Sequence, residues 1–327
     1  MSNDIAFLAE FADGQPARSA LELAAGAVDL AKGSGGAAVG LAYGKGAKSG
    51  AAGLGAAGAA SVVVLGDENV PAITVAAPMA AAVRDLSPQA LLAPATPNGR
   101  DLAAALVGLL GVPAFGPVRA AAISDGRLRV EQSTLQGTVI TVSEPVDDAP
   151  RPAVVLVLAN TFTPVEGGSG SAAVSDAPAA DDSAFGKATI AESHPAEAAV
   201  ANLEEATVIV AGGRGVGSEA GFAPLHDLAA ALGGAVGASR AAADAGWVPY
   251  QLQIGQTGKV VKPALYMGIG ISGAIQHRVG MQTAENVVAI NKDPDAPIGE
   301  FADLFVVGDL FAIVPKLTDE INRRKGR

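Results

Sequence analysis

The chain has 327 residues, a formal net charge of −11 and no cysteine. The acidic balance argues against a nucleic-acid partner, because the phosphate backbone would be repelled. The lack of cysteine excludes disulfides, thiolate metal centres and thiol catalysis, and it fits a reducing compartment. Hydrophobic residues make up 50% of the chain but aromatic residues only 4%, which favours a core of small aliphatic side chains in α/β layers.

The length and the apolar runs predict a two-domain protein that does not insert into a membrane. A chain of this size is too long for one small core. Residues 1–14 are acidic and lack a charged-then-apolar leader. The longest apolar runs, such as 153–159, are far shorter than the ~18 residues that span a bilayer. We therefore expect a cytoplasmic protein.

The first half alternates short apolar runs with helical patterns, which predicts a mostly parallel α/β sheet. A helix is expected over 17–32, and another from Asn98 as N-cap to a terminating Gly111. Asp125-Gly126 lies between alternating runs and predicts an added antiparallel hairpin. The strands of this half are expected at 5–11, 36–44, 61–66, 90–96 and 153–159, with a further one in LQGTVITVS.

Residues 164–186 are rich in Gly, Ser, Ala, Pro and acids, and are predicted to form a loose acidic loop. The following run KATIAES, 187–193, is predicted as one last strand. A linker near 196–205 then separates a first domain, residues 1–200, from a second, residues 201–327.

The second half restarts the alternation of strands and helices, which predicts a doubly wound, Rossmann-like sheet. A helix is expected from Ser218 to Leu232, and Asp309 is expected to cap a carboxyl-terminal helix. Ligands of such sheets bind at the carboxyl ends of the strands. The strands are expected at 206–212, 234–239, 264–270, 286–291 and 304–309.

The stretch GQTGK resembles a phosphate-binding loop but lacks its requirements. A P-loop needs a glycine five positions before the glycine that precedes the lysine, and Ser or Thr after the lysine. Gln253 and Val260 occupy those two positions. Chemistry on a magnesium-bound triphosphate is therefore not supported.

The turn GGRGVGSEA follows a predicted strand and fits the dinucleotide fingerprint through Gly215, Gly217 and Ala220. Such a turn also occurs as tight packing alone. The fingerprint expects an acid at the end of the second strand, where this chain has Ser239 and Arg240. That pair suits a phosphate or an electron-rich ring, so a standard NAD site is disfavoured.

Two more stretches place polar groups at strand ends. In GISGAIQH a strand runs into a helix start, whose backbone N–H groups bind anions. The alternative is a helix with Ser272 as N-cap and His277 as an ordinary surface histidine. Asn291 and Asp309 end two later strands and could bind a polar ligand, although turn formation and helix capping are the simpler explanation for each residue taken singly.

Four stretches belong together: GGRGVGSEAGF, VGASRAAADAGW, IGQTGKVVKPALYMGIGISGAIQH and AINKDPDAPIGEFADLFVVGDLF. They closely resemble the carboxyl-terminal domain of the electron-transfer flavoprotein alpha subunit family over roughly residues 206–325. The first half of the chain matches the family only in its alternation of strands and helices followed by a hairpin region. The resemblance implies one FAD in the second domain and a partner beta subunit that carries AMP in a structural role. It also implies single-electron transfer from donor dehydrogenases, such as the acyl-CoA dehydrogenases of fatty acid β-oxidation, to a quinone reductase or another acceptor.

The resemblance assigns one group of residues to the flavin ring. Arg214 matches a residue at the flavin site, and Ser239 and Arg240 match a Ser-Arg pair beside the isoalloxazine. Arg240 is expected to stack near N5, with the Thr257 hydroxyl also directed there. The loop at the ring and the ribityl chain comprises Ile254, Gly255, Gln256 and Thr257.

A second group is assigned to the phosphates and the adenosine. The phosphate-binding turn runs from Ser272 to His277, and His277 is expected to reach the ring near N1 and the C2 carbonyl as a cation or donor. Asn291, Asp309 and Leu310 match the adenosine side. The complete turn comprises Ser272, Gly273, Ala274, Ile275, Gln276 and His277.

Two other functions stay open at this point. One is a flavin- or nicotinamide-dependent oxidoreductase acting on a small substrate, which would need a proton donor or base. His194, His226 and His277 are the only histidines available for that role. The other is a nucleotide-binding module that is redox-silent. The expected function is an electron carrier without a small-molecule substrate of its own and without a metal.

Overall fold

The computed structural model describes residues 2–135, 139–165, 168–178, 188–192 and 203–326. The chain divides into two compact units, Met1–His194 and Pro195–Arg327. The predicted domain boundary at residue 200, most of the predicted linker and His194 lie outside the described residues. The boundary therefore stays a prediction.

The first unit contains a parallel sheet with helices on both faces. Its strands are β1 (Ile5–Ala12), β2 (Gln15–Pro16), β3 (Ala38–Gly44), β4 (Ser61–Val64), β5 (Ala90–Pro94), β6 (Ala114–Val118), β7 (Ala120–Ser124), β8 (Arg127–Thr134), β9 (Val139–Ser143), β10 (Ala153–Val157) and β11 (Ala173–Asp176). Its helices are α1 (Arg18–Ser34), α2 (Ala47–Gly50), α3 (Ala76–Leu86) and α4 (Pro97–Leu110). The main sheet has the order β11-β4-β3-β1-β5-β10-β6, with β2 antiparallel to β1.

The central strand β1 shows why this sheet is covered on both faces. Successive side chains of a strand point to opposite faces. Ile5 and Phe7 belong to a core cluster that includes residues of α1, whereas Ala6 and Leu8 belong to one that includes residues of α3 and α4. A strand buried on both faces shows a continuous apolar run, as the sequence of β1 does.

The predicted hairpin is confirmed. Strands β7, β8 and β9 form a separate antiparallel sheet. Asp125 and Gly126 connect β7 to β8 with φ angles of 53° and 73°. Two consecutive positive φ angles are what a two-residue hairpin turn of type I′ requires, and Asp-Gly adopts them readily.

The predicted N-cap of α4 is wrong. Helix α4 begins at Pro97, and Thr96 caps it by accepting a hydrogen bond from the Gly99 N–H at 3.2 Å. Proline is favoured at the first helical position, which moves the start of the helix before Asn98. The Asn98 amide instead donates to the Glu10 carboxylate at 2.7 Å.

The acidic loop is less irregular than predicted, because it contains β11. All four residues of β11 are exposed, and the strand pairs in parallel with β4 at the edge of the sheet. Backbone pairing at an edge leaves no alternating apolar pattern in the sequence, which is why the strand was missed. The strand predicted in KATIAES is wrong for its described residues, 188–192, which form none.

The second unit is a five-stranded parallel sheet. Its strands are β12 (Val208–Gly212), β13 (Ala235–Ala238), β14 (Leu265–Ile269), β15 (Asn286–Asn291) and β16 (Leu304–Val307), in the order β13-β12-β14-β15-β16. Its helices are α5 (Ala223–Leu232), α6 (Arg240–Asp244), α7 (Ile275–Met281) and α8 (Leu310–Arg324). The chain reverses its direction across the sheet between β12 and β14, so a crevice is expected there.

The helix predicted from Ser218 begins five residues later. Residues Ala220–Phe222 form a 3₁₀ turn, and α5 starts at Ala223 with Pro224 in its first turn. The proline fixes φ at the helix start and has no N–H to donate into a preceding turn. Among the described residues, no helix is long and apolar enough to cross a membrane.

Candidate functional site

A cleft of about 1010 Å³ opens at the carboxyl ends of β12, β13, β14 and β15. It lies at the point where the strand order reverses, which is where doubly wound sheets bind their ligands. Its volume is at the upper end of the range for small-molecule sites and suits an elongated ligand.

The structure brings most of the sequence-predicted residues together at this cleft. The turn after β12, the start of α6, the GQTGK loop and the turn before α7 all contribute to it. The predicted residues that line it are Arg214, Ser239, Arg240, Ile254, Gly255, Gln256, Thr257, Ser272, Ala274, Gln276, His277 and Asn291.

Four predicted residues are not part of the lining. Asp309 caps α8 as expected, accepting a hydrogen bond from the Phe311 N–H at 3.0 Å. Leu310 is buried in the core of the unit, and Ile275 is 57% exposed. Gly273 packs against the backbone of Ile298, so its contribution is to the shape of the turn.

Several lining residues were missed by sequence reasoning. Most of them flank the predicted motifs in sequence, so widening each motif by one or two positions would have found them. Asp244, Ala296 and Pro297 required the structure, since each lies at least four positions from the nearest predicted residue. The missed residues are Gly215, Ala241, Asp244, Gln253, Gly270, Ile271, Lys292, Asp293, Ala296 and Pro297.

Glycines allow the backbone segments around the cleft to approach closely. A Cβ added at Gly215 would lie 2.8 Å from the Cα of Gly270, across the switch point. A Cβ at Gly280 of α7 would overlap the backbone N and Cα of Gly255. These glycines therefore set the distance between the turns that form the walls.

A polar network holds Arg240 at the mouth of the cleft. Its Nε donates to the Asp244 carboxylate at 3.3 Å, and the Tyr250 hydroxyl donates to the same carboxylate at 3.2 Å. The Arg240 side chain is 67% exposed, so the ion pair contributes little to stability. The guanidinium is consequently free to change partners when a ligand enters.

The hydroxyl of Thr257 has a defined neighbour. The side-chain amide of Gln253 donates to Thr257 Oγ1 at 3.0 Å, and Gln253 itself is buried. A hydroxyl that accepts a hydrogen bond still has its own hydrogen to donate. Thr257 can therefore act as a donor at the cleft.

His277 is buried, which contradicts the alternative of an ordinary surface histidine. It is 7% exposed, and its Nε2 lies 2.6 Å from the hydroxyl oxygen of Tyr266. The N-cap of α7 is Ala274, so the proposed capping role of Ser272 is also wrong. The Ser272 carbonyl instead accepts from the Ile298 N–H at 2.9 Å, which fixes the turn before α7.

Burial lowers the pKa of His277 from 6.5 to about 4, and the backbone of Ile254 opposes this shift only in part. When the pKa of a histidine is lower in the folded protein than in the unfolded chain, its contribution to stability is fully present at pH values above the unfolded-state pKa. That contribution is lost as the pH falls toward the folded-state pKa. We expect the unfolding free energy to drop by about 3 kcal/mol between pH 6.5 and pH 4 through this group. Urea titrations at several pH values, compared with His277→Gln, measure it, and an identical pH profile in the variant would contradict it.

The charge of the cleft differs from that of the whole chain. Arg214, Arg240 and Lys292 oppose Asp244 and Asp293, which gives 3 − 2 = +1 with His277 neutral. The whole chain carries −11. A locally positive cleft in an acidic protein favours an anionic ligand.

Comparison with known proteins gives a consistent result for both units. Residues 202–282 match the profile described as the electron transfer flavoprotein FAD-binding domain, and residues 5–182 match the electron transfer flavoprotein domain. The electron transfer flavoprotein subunit alpha of Mycobacterium leprae is 43% identical over 285 residues, which is 84% of this chain and 85% of that protein.

The chain belongs to the electron transfer flavoprotein alpha subunit family. The subunit alpha of Paracoccus denitrificans is 41% identical over 231 residues, 71% of this chain and 72% of its own length. That of Mycobacterium tuberculosis strain H37Rv is 61% identical over 119 residues, 36% of this chain and 37% of its own length. The resemblance seen in the sequence is thereby confirmed, as are the α/β fold class and FAD as the cofactor.

The cleft of this alpha subunit fits FAD. Among the described residues, Ser239 Oγ and His277 Nδ1 are buried side-chain atoms without a hydrogen-bond partner, and both residues line the cleft. Buried polar groups are nearly always paired, so these two atoms indicate a ligand with polar groups. The positive charge suits a diphosphate, and the glycine-lined turns admit its close approach.

Proposed function

We propose that this alpha subunit pairs with an AMP-carrying beta subunit and passes single electrons between proteins. Its donors are flavin dehydrogenases such as the acyl-CoA dehydrogenases, and its acceptor is a quinone reductase or another redox protein. We place this activity in the cytoplasm. The observation that supports the proposal best is the positively charged cleft at the switch point of the second unit.

The residues of the cleft are suited to holding a redox cofactor without transforming a small substrate. Bound FAD would supply a ring that gains negative charge as it takes up electrons. Thr257 would donate its hydroxyl, and Arg240 would place its guanidinium over the ring. His277 is the histidine that lines the cleft in the described part of the chain, and it is held neutral by burial.

Substitution of Arg240 tests the assignment of its guanidinium to the flavin ring. Arg240→Ala is expected to weaken FAD binding about tenfold, since a stacked cation is worth roughly 1 kcal/mol or somewhat more. It should also make the reduction potential of the bound flavin more negative, because a positive charge near the ring is lost. Fluorescence titration and potentiometry measure the two effects. Arg100→Ala, on the exposed side of α4, is the matched control, and equal values in both variants would refute the role of Arg240.

The carrier role is tested by following electrons between proteins. The purified alpha–beta pair is mixed with an acyl-CoA dehydrogenase and its substrate, and flavin absorbance is recorded. We expect rapid bleaching with the dehydrogenase present and none with acyl-CoA alone. Turnover of a small substrate without a protein donor would favour the oxidoreductase. A bound cofactor that no dehydrogenase reduces would favour the redox-silent module.

A further inference from the structure

A buried tyrosine lies behind the histidine of the cleft. Tyr266 of β14 is fully buried and is not part of the lining, whereas His277 of α7 lines the cleft. The Tyr266 hydroxyl oxygen is 2.6 Å from His277 Nε2, and the two rings are 6.1 Å apart at an interplanar angle of 56°. This contact connects the interior of the sheet to the site.

The direction of this hydrogen bond follows from what each atom can donate. A phenol has one hydrogen to donate, and within the described part of the chain His277 Nε2 is the partner of the Tyr266 hydroxyl. Burial raises the pKa of Tyr266, so the hydroxyl keeps its hydrogen. If Nε2 carried a hydrogen and donated it, the phenolic hydrogen would be left buried without an acceptor, which folded proteins avoid. Tyr266 therefore donates and Nε2 accepts.

This assignment determines the other nitrogen of the ring. A neutral imidazole carries one hydrogen, so an accepting Nε2 places it on Nδ1. Nδ1 has no hydrogen-bond partner among the described residues. The backbone of Ile254, which also lines the cleft, offers a hydrogen-bond acceptor close enough to the ring to raise its pKa, but it forms no hydrogen bond of normal geometry with Nδ1. The Nδ1–H of His277 is therefore a donor that can bind an acceptor atom of a ligand in the cleft.

We propose that Tyr266 is a positioning residue that fixes His277 as a neutral Nδ1–H donor for a carbonyl or ring-nitrogen acceptor of the bound cofactor. The proposal rests on the function proposed above. Of the two roles expected for His277, a cation or a hydrogen-bond donor, it selects an uncharged donor of fixed direction. A hydrogen-bond donor whose partner is set in advance loses less freedom when the ligand binds.

Nitrogen NMR of labelled histidine in the alpha–beta complex tests the assignment directly. The spectrum of the FAD-free wild type should show His277 neutral at pH 7 with hydrogen on Nδ1. Tyr266→Phe should mix the two tautomers and lower FAD affinity about tenfold. Tyr43→Phe is the matched control, since Tyr43 is also buried but lies in the first unit with its hydroxyl 3.4 Å from Glu10. It should change neither quantity.

A second variant separates positioning from packing. In a His277→Ala background, Tyr266→Phe should have no additional effect on FAD affinity, because the residue acts through the imidazole. An additional tenfold loss there would overturn the inference. So would hydrogen on Nε2 in the wild type, or a Tyr266→Phe variant with unchanged tautomer and affinity. A wild-type pair that binds no FAD would instead overturn the proposed function, and the inference with it.

Discussion

Gly280→Ala is expected to lower FAD affinity by about 10- to 100-fold. The added Cβ would overlap the backbone N and Cα of Gly255, in the loop that lines the cleft. The Gly280 carbonyl also accepts from the Val261 N–H at 2.8 Å, so α7 and the loop before β14 are joined at this point. Forcing an additional atom into a packed contact costs about 1–3 kcal/mol. The Gly255 loop is expected to move to relieve the overlap, and this movement lowers the affinity for FAD by a similar free energy.

Fluorescence titration of FAD into the alpha–beta pair measures this effect. Gly108→Ala is the matched control, since Gly108 lies on the exposed side of α4 with nothing within 4 Å of an added Cβ. That substitution should leave FAD binding unchanged and stabilise the helix by about 1 kcal/mol. Wild-type affinity in Gly280→Ala would show that the contact between α7 and the Gly255 loop does not shape the site.

Phe222→Ala is expected to destabilise the second unit by about 3–5 kcal/mol, a large part of the stability of an ordinary domain. Phe222 is 2% exposed, and its ring packs on Gly212 at the carboxyl end of β12. Removing the ring leaves a cavity directly beneath the turn that contains Arg214. The site should therefore weaken together with the fold.

The single tryptophan of the chain makes this measurement selective. Trp247 packs against the core of the second unit, so its fluorescence during urea unfolding reports on that unit. Phe311→Ala is the control, because Phe311 is 49% exposed and its removal should change the unfolding free energy by no more than about 0.5 kcal/mol. Equal midpoints for both variants would contradict the placement of Phe222 in the core.

The strands of the second sheet were predictable because each is a short apolar run ended by polar or glycine residues, including β16, which is only partly buried. Their carboxyl ends share one edge in any parallel sheet, and this alone places Ser239, Ser272 and Asn291 near one another. The sequence motifs therefore predicted most of the lining without a structure. The boundaries were less accurate at Asn98 and Ser218, where prolines determine the first helical turn.

The contacts behind the lining were not predictable. Nothing in the sequence shows that Tyr266 reaches His277 or that Gln253 reaches Thr257, since these pairs depend on the distance between packed elements. The same holds for the charge of His277, which burial sets and residue type does not. Strand β11 was not predicted because its exposed residues show no alternating apolar pattern.

The central claim is that the cleft of the second unit holds FAD for transfer between proteins. The most direct measurement is the visible absorption spectrum of the chain purified together with a beta subunit, with the released cofactor identified by mass. We predict a yellow complex that releases one FAD for each pair of subunits. A colourless complex that cannot be reconstituted with FAD would contradict the account.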